Sequence, residues 1–332
     1  MNGSLASDVP PVPTIPQFKD RRAGLIMFGI LEITFGVLAA LMIPLIILGQ
    51  AMAAHVNQEP TPVRQLIPAM LTYIVLSIVL ISVGIGSIKA RRWARALSLV
   101  LGWSWLLVGF LSVVMMTFVF PDVIKNSQPR GQQVPPAAVL IGLLFALAFM
   151  SIFLVAVPGA LVLFYRSRHV NATCQTRNPS PSWTDACPLP VLALTLWIGL
   201  GALGALSMPV STHGVIPVFG KILSGVAGSL CCVALALLWG YCAWMLYRLQ
   251  STAWWVTLIT LCVVTISAAV TFSQISLPDL YQAMGYSEHQ IDAIKQFSFF
   301  QGNRMVYWSM ACLLPMLGFL LYVKRYFRSS VS

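Results

Sequence analysis

Long apolar segments recur along this chain, and its charged residues are nearly confined to the gaps between them. A hydrocarbon core about 30 Å thick requires ~20 apolar residues in a helix that rises 1.5 Å per residue. The segments that meet this requirement are 23–50, 67–88, 93–120, 139–165, 189–208, 222–247, 253–273 and 305–327. The sequence therefore predicts an all-α membrane protein with eight transmembrane helices.

Composition excludes a soluble fold independently of any segment. Hydrophobic residues make up 58% of the chain and charged residues 9%, whereas a soluble domain carries about 25% charged residues. Residues 1–22 begin polar and proline-rich, so we expect a disordered cytoplasmic tail there. The apolar run that follows is too long for the core of a cleavable signal peptide, and it is expected to remain as the first membrane anchor.

The formal net charge of +11 is unevenly distributed between the two sides of the predicted bundle. If the N-terminus is cytoplasmic, most of the basic residues fall on that side, namely Lys19, Arg21, Arg22, Lys89, Arg91, Arg92, Arg95, Arg166, Arg168, Arg177, Arg248, Lys324, Arg325 and Arg328. Positive residues beside membrane spans favour the cytoplasmic face. Both termini are therefore predicted to be cytoplasmic. Basic residues in these positions meet anionic lipid headgroups, and we do not predict nucleic acid as a partner.

The chain also resembles itself in its two halves. Residues 36–44 and 201–209 share five identical positions. Further landmarks follow in the same order in both halves, namely Trp93 and Trp254, Pro121 and Pro278, and Pro158 and Pro315. This order predicts two four-helix repeats, residues 23–168 and 189–328, joined by a cytoplasmic linker at 169–188. Because four spans is an even number, the repeats should have the same orientation in the membrane.

The linker and one helix start resemble a known group of proteins. Residues 170–174 and 183–190, and the Arg-Arg-Trp-Ala-Arg sequence at 91–95, are similar to segments of uncharacterised bacterial membrane proteins with about eight spans. The resemblance implies a location in the bacterial inner membrane. It brings no known activity.

Glu32 is the only carboxylate within a predicted span. It follows the start of that span by about 13 Å at a rise of 1.5 Å per residue, and ionisable residues at such depth often serve ion or proton pathways. A proton or cation site is one interpretation. The other is a protonated side chain with a hydrogen-bonding or charged neighbour, and the neighbours considered are Thr34, Tyr73, Ser104 and Arg95. In the second repeat the matching position is Trp197.

Three soft ligands lie in the linker: His169, Cys174 and Cys187. They could form a redox-active dithiol or part of a metal site, although a zinc site normally has four ligands and closely paired cysteines. The remaining alternative is a flexible linker without chemistry. The other five cysteines fall inside predicted spans and are expected to pack as small apolar residues, so no cofactor or metal is predicted.

A short helical pair is predicted between the last two spans. Residues 278–284, closed by Gly285, indicate one or two helical turns. Ser287 followed by Gln290 then has the spacing of a capping box before an amphipathic helix.

No catalytic constellation is evident in the sequence, so an enzyme is not predicted. The first functional hypothesis is a non-enzymatic membrane module that packs against other membrane proteins or itself, senses the envelope or supports complex assembly. The second is a secondary transporter or channel for a small solute, with Glu32 lining the pathway. A polar cavity that reaches Glu32 would favour transport, whereas a packed bundle would favour the module.

Overall fold

The structure, a computed structural model, describes residues 18–55, 62–126, 135–295 and 304–328. Most of these residues are helical, which confirms the all-α prediction. The helices are α1 (Arg22–His55), α2 (Val63–Ile88), α3 (Arg92–Asn126), α4 (Pro136–Ser151), α5 (Val157–Arg166), α6 (Arg168–Arg177), α7 (Leu189–Ser211), α8 (Gly225–Tyr247), α9 (Ser251–Gln274), α10 (Leu277–Ala283), α11 (Glu288–Lys295) and α12 (Arg304–Arg328). The predicted disordered tail lies largely in residues 1–17, outside the described residues.

Within the described residues, seven helical segments are long and apolar enough to cross a membrane. One of them is continuous from α4 to α5 through a π-helical turn, Ile152–Ala156. The eighth predicted span coincides with α12, a helix of 25 residues. Several α12 side chains lie outside the described residues, and its crossing of the membrane stays a prediction.

The helices pair in the same order in both halves of the chain. α1 packs along α2, and α7 packs along α8, while α3 packs against α5 and α9 against α12. At the first of these contacts the backbones of Gly29 and Gly84 face each other, and a Cβ atom built on Gly84 would lie 2.6 Å from the Gly29 carbonyl oxygen. Small residues allow such close packing of helices in a membrane.

Residues 166–188 form an ordered structure at one end of the bundle, which we call the linker end. The Tyr247 hydroxyl, at the end of α8, donates a hydrogen bond to the Trp183 carbonyl oxygen at 2.8 Å. The backbone N–H of Lys19, just before α1, donates to His169 Nδ1 at 3.3 Å. The linker therefore contacts both halves, and it contains the helix α6, which was not predicted.

The short connections from α2 to α3 and from α8 to α9 lie at the linker end and have the same geometry. Ala90 and Leu249 both adopt a positive φ, 51° and 58°, which is uncommon for residues other than glycine. Their backbone N–H groups donate at 2.9 Å to the carbonyl oxygens of Ser87 and Leu246, respectively. Each helix is thus closed by the same left-handed turn.

A two-stranded hairpin at the opposite end was not predicted. Strands β1 (Ile216–Val218) and β2 (Lys221–Leu223) pair antiparallel between α7 and α8. The turn residue Phe219 donates its N–H to the Ser267 hydroxyl of α9 at 2.9 Å, and Gly220 donates to the Thr271 hydroxyl at 3.0 Å. These two bonds fix the hairpin tip on α9.

The predicted helical pair between α9 and α12 is confirmed. α10 ends before Gly285, which has a φ of 80°. α11 begins after Ser287, whose N–H donates to the Gln290 side chain at 3.1 Å as in a capping box. The Gly285 carbonyl accepts a hydrogen bond from Gln65 at the start of α2, so this pair is tied to the first half of the chain.

Candidate functional site: a buried polar cluster

Glu32 lies in the interior of the first half, where its side chain is only 4% exposed. Four helices contribute to its surroundings: Glu32 itself is on α1, Ser87 on α2, Ser98 on α3 and Tyr165 on α5. We refer to these four residues as the polar cluster. The three hydroxyl residues are also fully buried.

Each carboxyl oxygen of Glu32 has its own hydroxyl partner. The Ser98 hydroxyl donates to Oε1 at 2.7 Å, and the Ser87 hydroxyl donates to Oε2 at 3.0 Å. The Tyr165 hydroxyl in turn donates to Ser87 Oγ at 2.9 Å. The chain of hydrogen bonds therefore links all four helices, which satisfies the requirement that buried polar groups be paired.

The cluster lies close to the linker end. Ser87 is the penultimate residue of α2, and Tyr165 is the penultimate residue of α5. Ser98 is in the second turn of α3. Glu32 follows the start of its predicted span by about 13 Å, whereas its hydroxyl partners lie near the ends of α2, α3 and α5.

Apolar side chains surround the cluster. Leu25, Leu99 and Leu161 are buried in one core cluster with Tyr165. The ring of Phe28, one turn before Glu32 on α1, lies with its centroid 6.1 Å from that of Tyr165. The hydroxyls of the cluster thus stand in for water around the carboxyl group.

None of the four neighbours considered from sequence is a hydrogen-bonding partner of Glu32. Arg95 donates from Nε to the backbone carbonyl of Tyr165 at 3.1 Å. Thr34 donates instead to the Ile30 carbonyl, and Ser104 accepts a hydrogen bond from Trp197. Among the described residues, no basic side chain lies within ion-pair distance of the Glu32 carboxyl group.

The linker cysteines are buried in two different clusters. Cys174 packs in the core of the first half, and Cys187 packs between the halves with Ala96 and Leu192. Burial raises the pKa of both thiols to about 11. The third ligand considered, His169, accepts a hydrogen bond from the backbone at Nδ1. Within the described ranges, no group of three or more His, Cys, Asp or Glu side chains is placed to hold a metal ion.

A cavity of about 400 Å³ opens at the other end of the bundle, between α7 and α8. Its lining residues are Pro209, His213, Gly225, Val226, Ser229, Leu230 and Val233. None of them belongs to the polar cluster. The cavity therefore does not provide the polar route to Glu32 that a carrier would require.

Comparisons with known protein families, with curated proteins and with solved structures found no match to this chain. The cluster can hold four helices in one register, and its continuous O–H chain can also transfer a proton.

Sequence analysis identified Glu32 but not its three partners. Serine and tyrosine are common in membrane helices, and Ser87 and Ser98 lie 55 and 66 residues from Glu32 along the chain. The feature that distinguishes them from other serines is their position on the inner faces of α2 and α3. Ser87 lies one helical turn from the buried residues Val83 and Gly84, and Ser98 one turn from the buried Ala94.

Proposed function

We propose that this protein is a non-enzymatic, multi-pass module of the bacterial inner membrane, with both termini in the cytoplasm. Its role would be to pack against partner membrane proteins or a second copy of itself within a larger assembly. The observation that carries the proposal is the pairing of Glu32, whose two carboxyl oxygens each accept a hydroxyl hydrogen bond in the buried interior of the first half. Such an arrangement stabilises one helix packing and exposes no reactive group.

The proposal includes a duplicated four-helix unit, supported by the burial pattern. Four of the five buried positions of α1 recur in α7 at a constant shift in residue number, as Leu25 and Val191, Glu32 and Ile198, Gly36 and Ala202, and Ala39 and Ala205. Four of the five buried positions of α2 recur in α8 in the same way, as Ser77 and Ala236, Val83 and Cys242, Gly84 and Ala243, and Ser87 and Leu246. The common order of helix pairing and the two left-handed turns at Ala90 and Leu249 add further support.

This alignment pairs the polar cluster with an almost apolar set in the second half. By burial, Glu32 corresponds to Ile198 and not to Trp197, which is 39% exposed. By burial, the remaining correspondences are Ser87 with Leu246, Ser98 with Thr257, and Tyr165 with Val323. The spacing from Pro158 and Pro315 instead pairs Tyr165 with Tyr322, which is 47% exposed. In either alignment the counterparts of Glu32 and Ser87 are aliphatic.

A structural role explains this asymmetry. Two similar four-helix units in one chain could exchange helices, for example by pairing α1 with α8. Such a mispairing would leave the Glu32 carboxyl group opposite Leu246 without a hydroxyl donor, at the cost of an unsatisfied buried polar group. A single polar position is known to select one register or partner among similar helices. We infer that the polar cluster ensures that the helices of the first half pair with one another.

The test is substitution of the Glu32 carboxyl group with its neutral isostere. Glu32→Gln should leave the purified protein folded and its assembly with partners unchanged between pH 5 and pH 8. Assembly is measured by size-exclusion chromatography and crosslinking in native membranes. A loss of assembly that follows protonation in the wild type and disappears in Glu32→Gln would contradict a static role.

The alternative is a proton-coupled carrier or channel, favoured by one specific observation. The hydroxyls of Tyr165 and Ser87 form a continuous path from the last turn of α5 to the Glu32 carboxyl group, and chains of this kind can relay protons. The protein reconstituted in vesicles with an internal pH-sensitive dye would then conduct protons. Both Glu32→Gln and Tyr165→Phe would abolish the flux, whereas the module predicts no flux for any of the three proteins.

A further inference from the structure

Basic side chains of the second half lie on aromatic rings at the linker end. Lys324 Nζ is 4.8 Å from the ring centroid of Trp254 and 4.5 Å from that of Trp255. These two rings are nearly perpendicular and 4.8 Å apart. Trp254 is itself fixed, because its indole N–H donates to the Leu320 carbonyl of α12 at 2.8 Å. The ammonium group is therefore held in a defined position at the junction of α9 and α12.

Arg325, the next residue, is held in the same manner. Its guanidinium lies 4.0 Å from the ring centroid of Tyr322 and 4.8 Å from that of Tyr326, and it donates hydrogen bonds to both phenolic oxygens. At the end of α8, Arg248 lies 4.6 Å from the ring centroid of Trp244. Three cations thus lie on aromatic rings of α8, α9 and α12 at the linker end.

Two basic residues of the first half and linker are instead paired with carboxylates. Arg92 forms an ion pair with Asp185 at 3.3 Å, and Arg177 forms one with Asp20 at 2.9 Å. Within the part of the chain that the structure describes, no carboxylate lies within ion-pair distance of Lys324, Arg325 or Arg248. An aromatic ring orients a cation without cancelling its charge, so the second half presents a net positive surface at this end.

We propose that this surface, formed by Lys324, Arg325 and Arg248 with their aromatic rings, binds the phosphodiester headgroup of an anionic phospholipid. The exposed rings of Trp244, Trp255 and Tyr322 suit the membrane interface, where amphipathic aromatic side chains settle. The exposed Leu321 on α12 continues this surface toward the hydrocarbon, where an acyl chain would lie. Opposite charge and adjoining apolar surface together match a phospholipid and not a free ion.

The experiment uses the full-length protein in a neutral detergent. Dioleoylphosphatidylglycerol is titrated into it, with dioleoylphosphatidylcholine and inorganic phosphate in parallel, and binding is followed by native mass spectrometry and by the shift in melting temperature. We expect saturable binding of phosphatidylglycerol and at least tenfold weaker binding of phosphatidylcholine. Equal stabilisation by inorganic phosphate would overturn the proposal, because the ligand would then be an ion and not a lipid.

A matched pair of double variants assigns the site. Each basic residue near a membrane surface strengthens binding about fivefold, so Lys324→Gln with Arg325→Gln should weaken phosphatidylglycerol binding about 30-fold. Arg92→Gln with Arg177→Gln removes the same charge from carboxylate-paired positions and should leave the affinity within about twofold of wild type. Equal losses in the two double variants would show a general charge effect and overturn the site.

Two further variants keep the test decisive if the first double variant unfolds. Arg248→Gln alters one exposed side chain and should weaken binding about fivefold. Lys324→Arg with Arg325→Lys preserves both charges and should retain most of the affinity. Wild-type affinity in Arg248→Gln, together with loss of affinity in the charge-preserving variant, would contradict the proposal.

Discussion

The carboxyl group of Glu32 illustrates how a single residue constrains four helices. Replacing the carboxyl group with an apolar side chain would leave Ser87 and Ser98 as buried hydroxyls without that acceptor. Glu32→Leu should therefore destabilise the protein by about 1–3 kcal/mol, whereas Glu32→Gln should cost about 1 kcal/mol or less. Unfolding in mixed detergent and sodium dodecyl sulfate measures both changes. Equal stability of the Leu variant and wild type would mean that the cluster does not hold the helices.

Tyr165 contributes one hydrogen bond to the same cluster. Tyr165→Phe keeps the ring in the core of the first half and removes only the bond to Ser87 Oγ, so we expect a loss of about 1 kcal/mol. The matched control is Tyr241→Phe, at a ring that is 58% exposed on α8, with no expected change. The same unfolding assay applies, and indistinguishable effects of the two substitutions would contradict the role of the Tyr165 hydroxyl.

The two linker thiols should be unreactive in the folded protein. Their pKa values are raised from 9.0 to about 11 by burial, so the thiolate fraction at pH 7.5 is about a hundredfold below that of an ordinary thiol. Cys174 is also only 1% exposed. Maleimide should modify Cys174 and Cys187 only after denaturation, as measured by peptide mass spectrometry. A cysteine introduced at the exposed Ser180 serves as the reactive control, and modification of the native thiols at its rate would contradict their burial.

Glu32 was recognisable from sequence at the residue scale, but its environment was not. A carboxylate is conspicuous among apolar residues, whereas hydroxyls bond readily to their own helix, as Thr34 does with the Ile30 carbonyl. Which hydroxyl reaches the carboxyl group depends on the crossing of α1 with α2 and α3. Hydrophobic patterns identify these helices without fixing how they cross.

At the element scale, the contact between α1 and α2 depends on the absence of side chains. A Cβ atom on Gly29 would lie 2.8 Å from the Gly84 carbonyl oxygen, so the backbones must separate to accept it. Gly29→Ala should destabilise the protein by about 1–3 kcal/mol. At Gly204 on α7 nothing lies within 4 Å of the new atom, and Gly204→Ala should be neutral or stabilise by up to about 1 kcal/mol. Comparable losses in thermal stability at both sites would contradict close packing as the cause.

Sequence patterns predicted the long helices well, but they predicted only some of the short helices and strands. α10 and α11 were foreseen because Gly285 and the Ser287–Gln290 pair provide explicit helix boundaries. β2 was absorbed into a predicted span, because a short apolar strand cannot be distinguished from a helix by composition. α6 was missed because its core residues, Val170 and Cys174, are too few to outweigh the polar residues around them.

At the scale of the whole molecule, orientation in the membrane is open to direct measurement. Residues 166–188 are predicted to be cytoplasmic, and the loop carrying α10 and α11 is predicted to lie on the other side. The exposed positions Ser180 and Gln282 report on the two sides. In intact cells an impermeant maleimide should label Gln282→Cys and spare Ser180→Cys, with the native thiols, which lie in the linker or in membrane helices, giving a low background. The reverse pattern would show the opposite topology.

The packing of α6 has a consequence for how the chain is made. Val170 and Cys174 of α6 complete the core that also contains Leu25 of α1 and Tyr165 of α5. A ribosome must therefore deliver the chain to Arg177 before the first half can finish folding, although its last membrane helix ends at Arg166. The natural place to cut the protein into two pieces for co-expression is thus after Asn178, and a cut at 168 would leave the first piece with an open core.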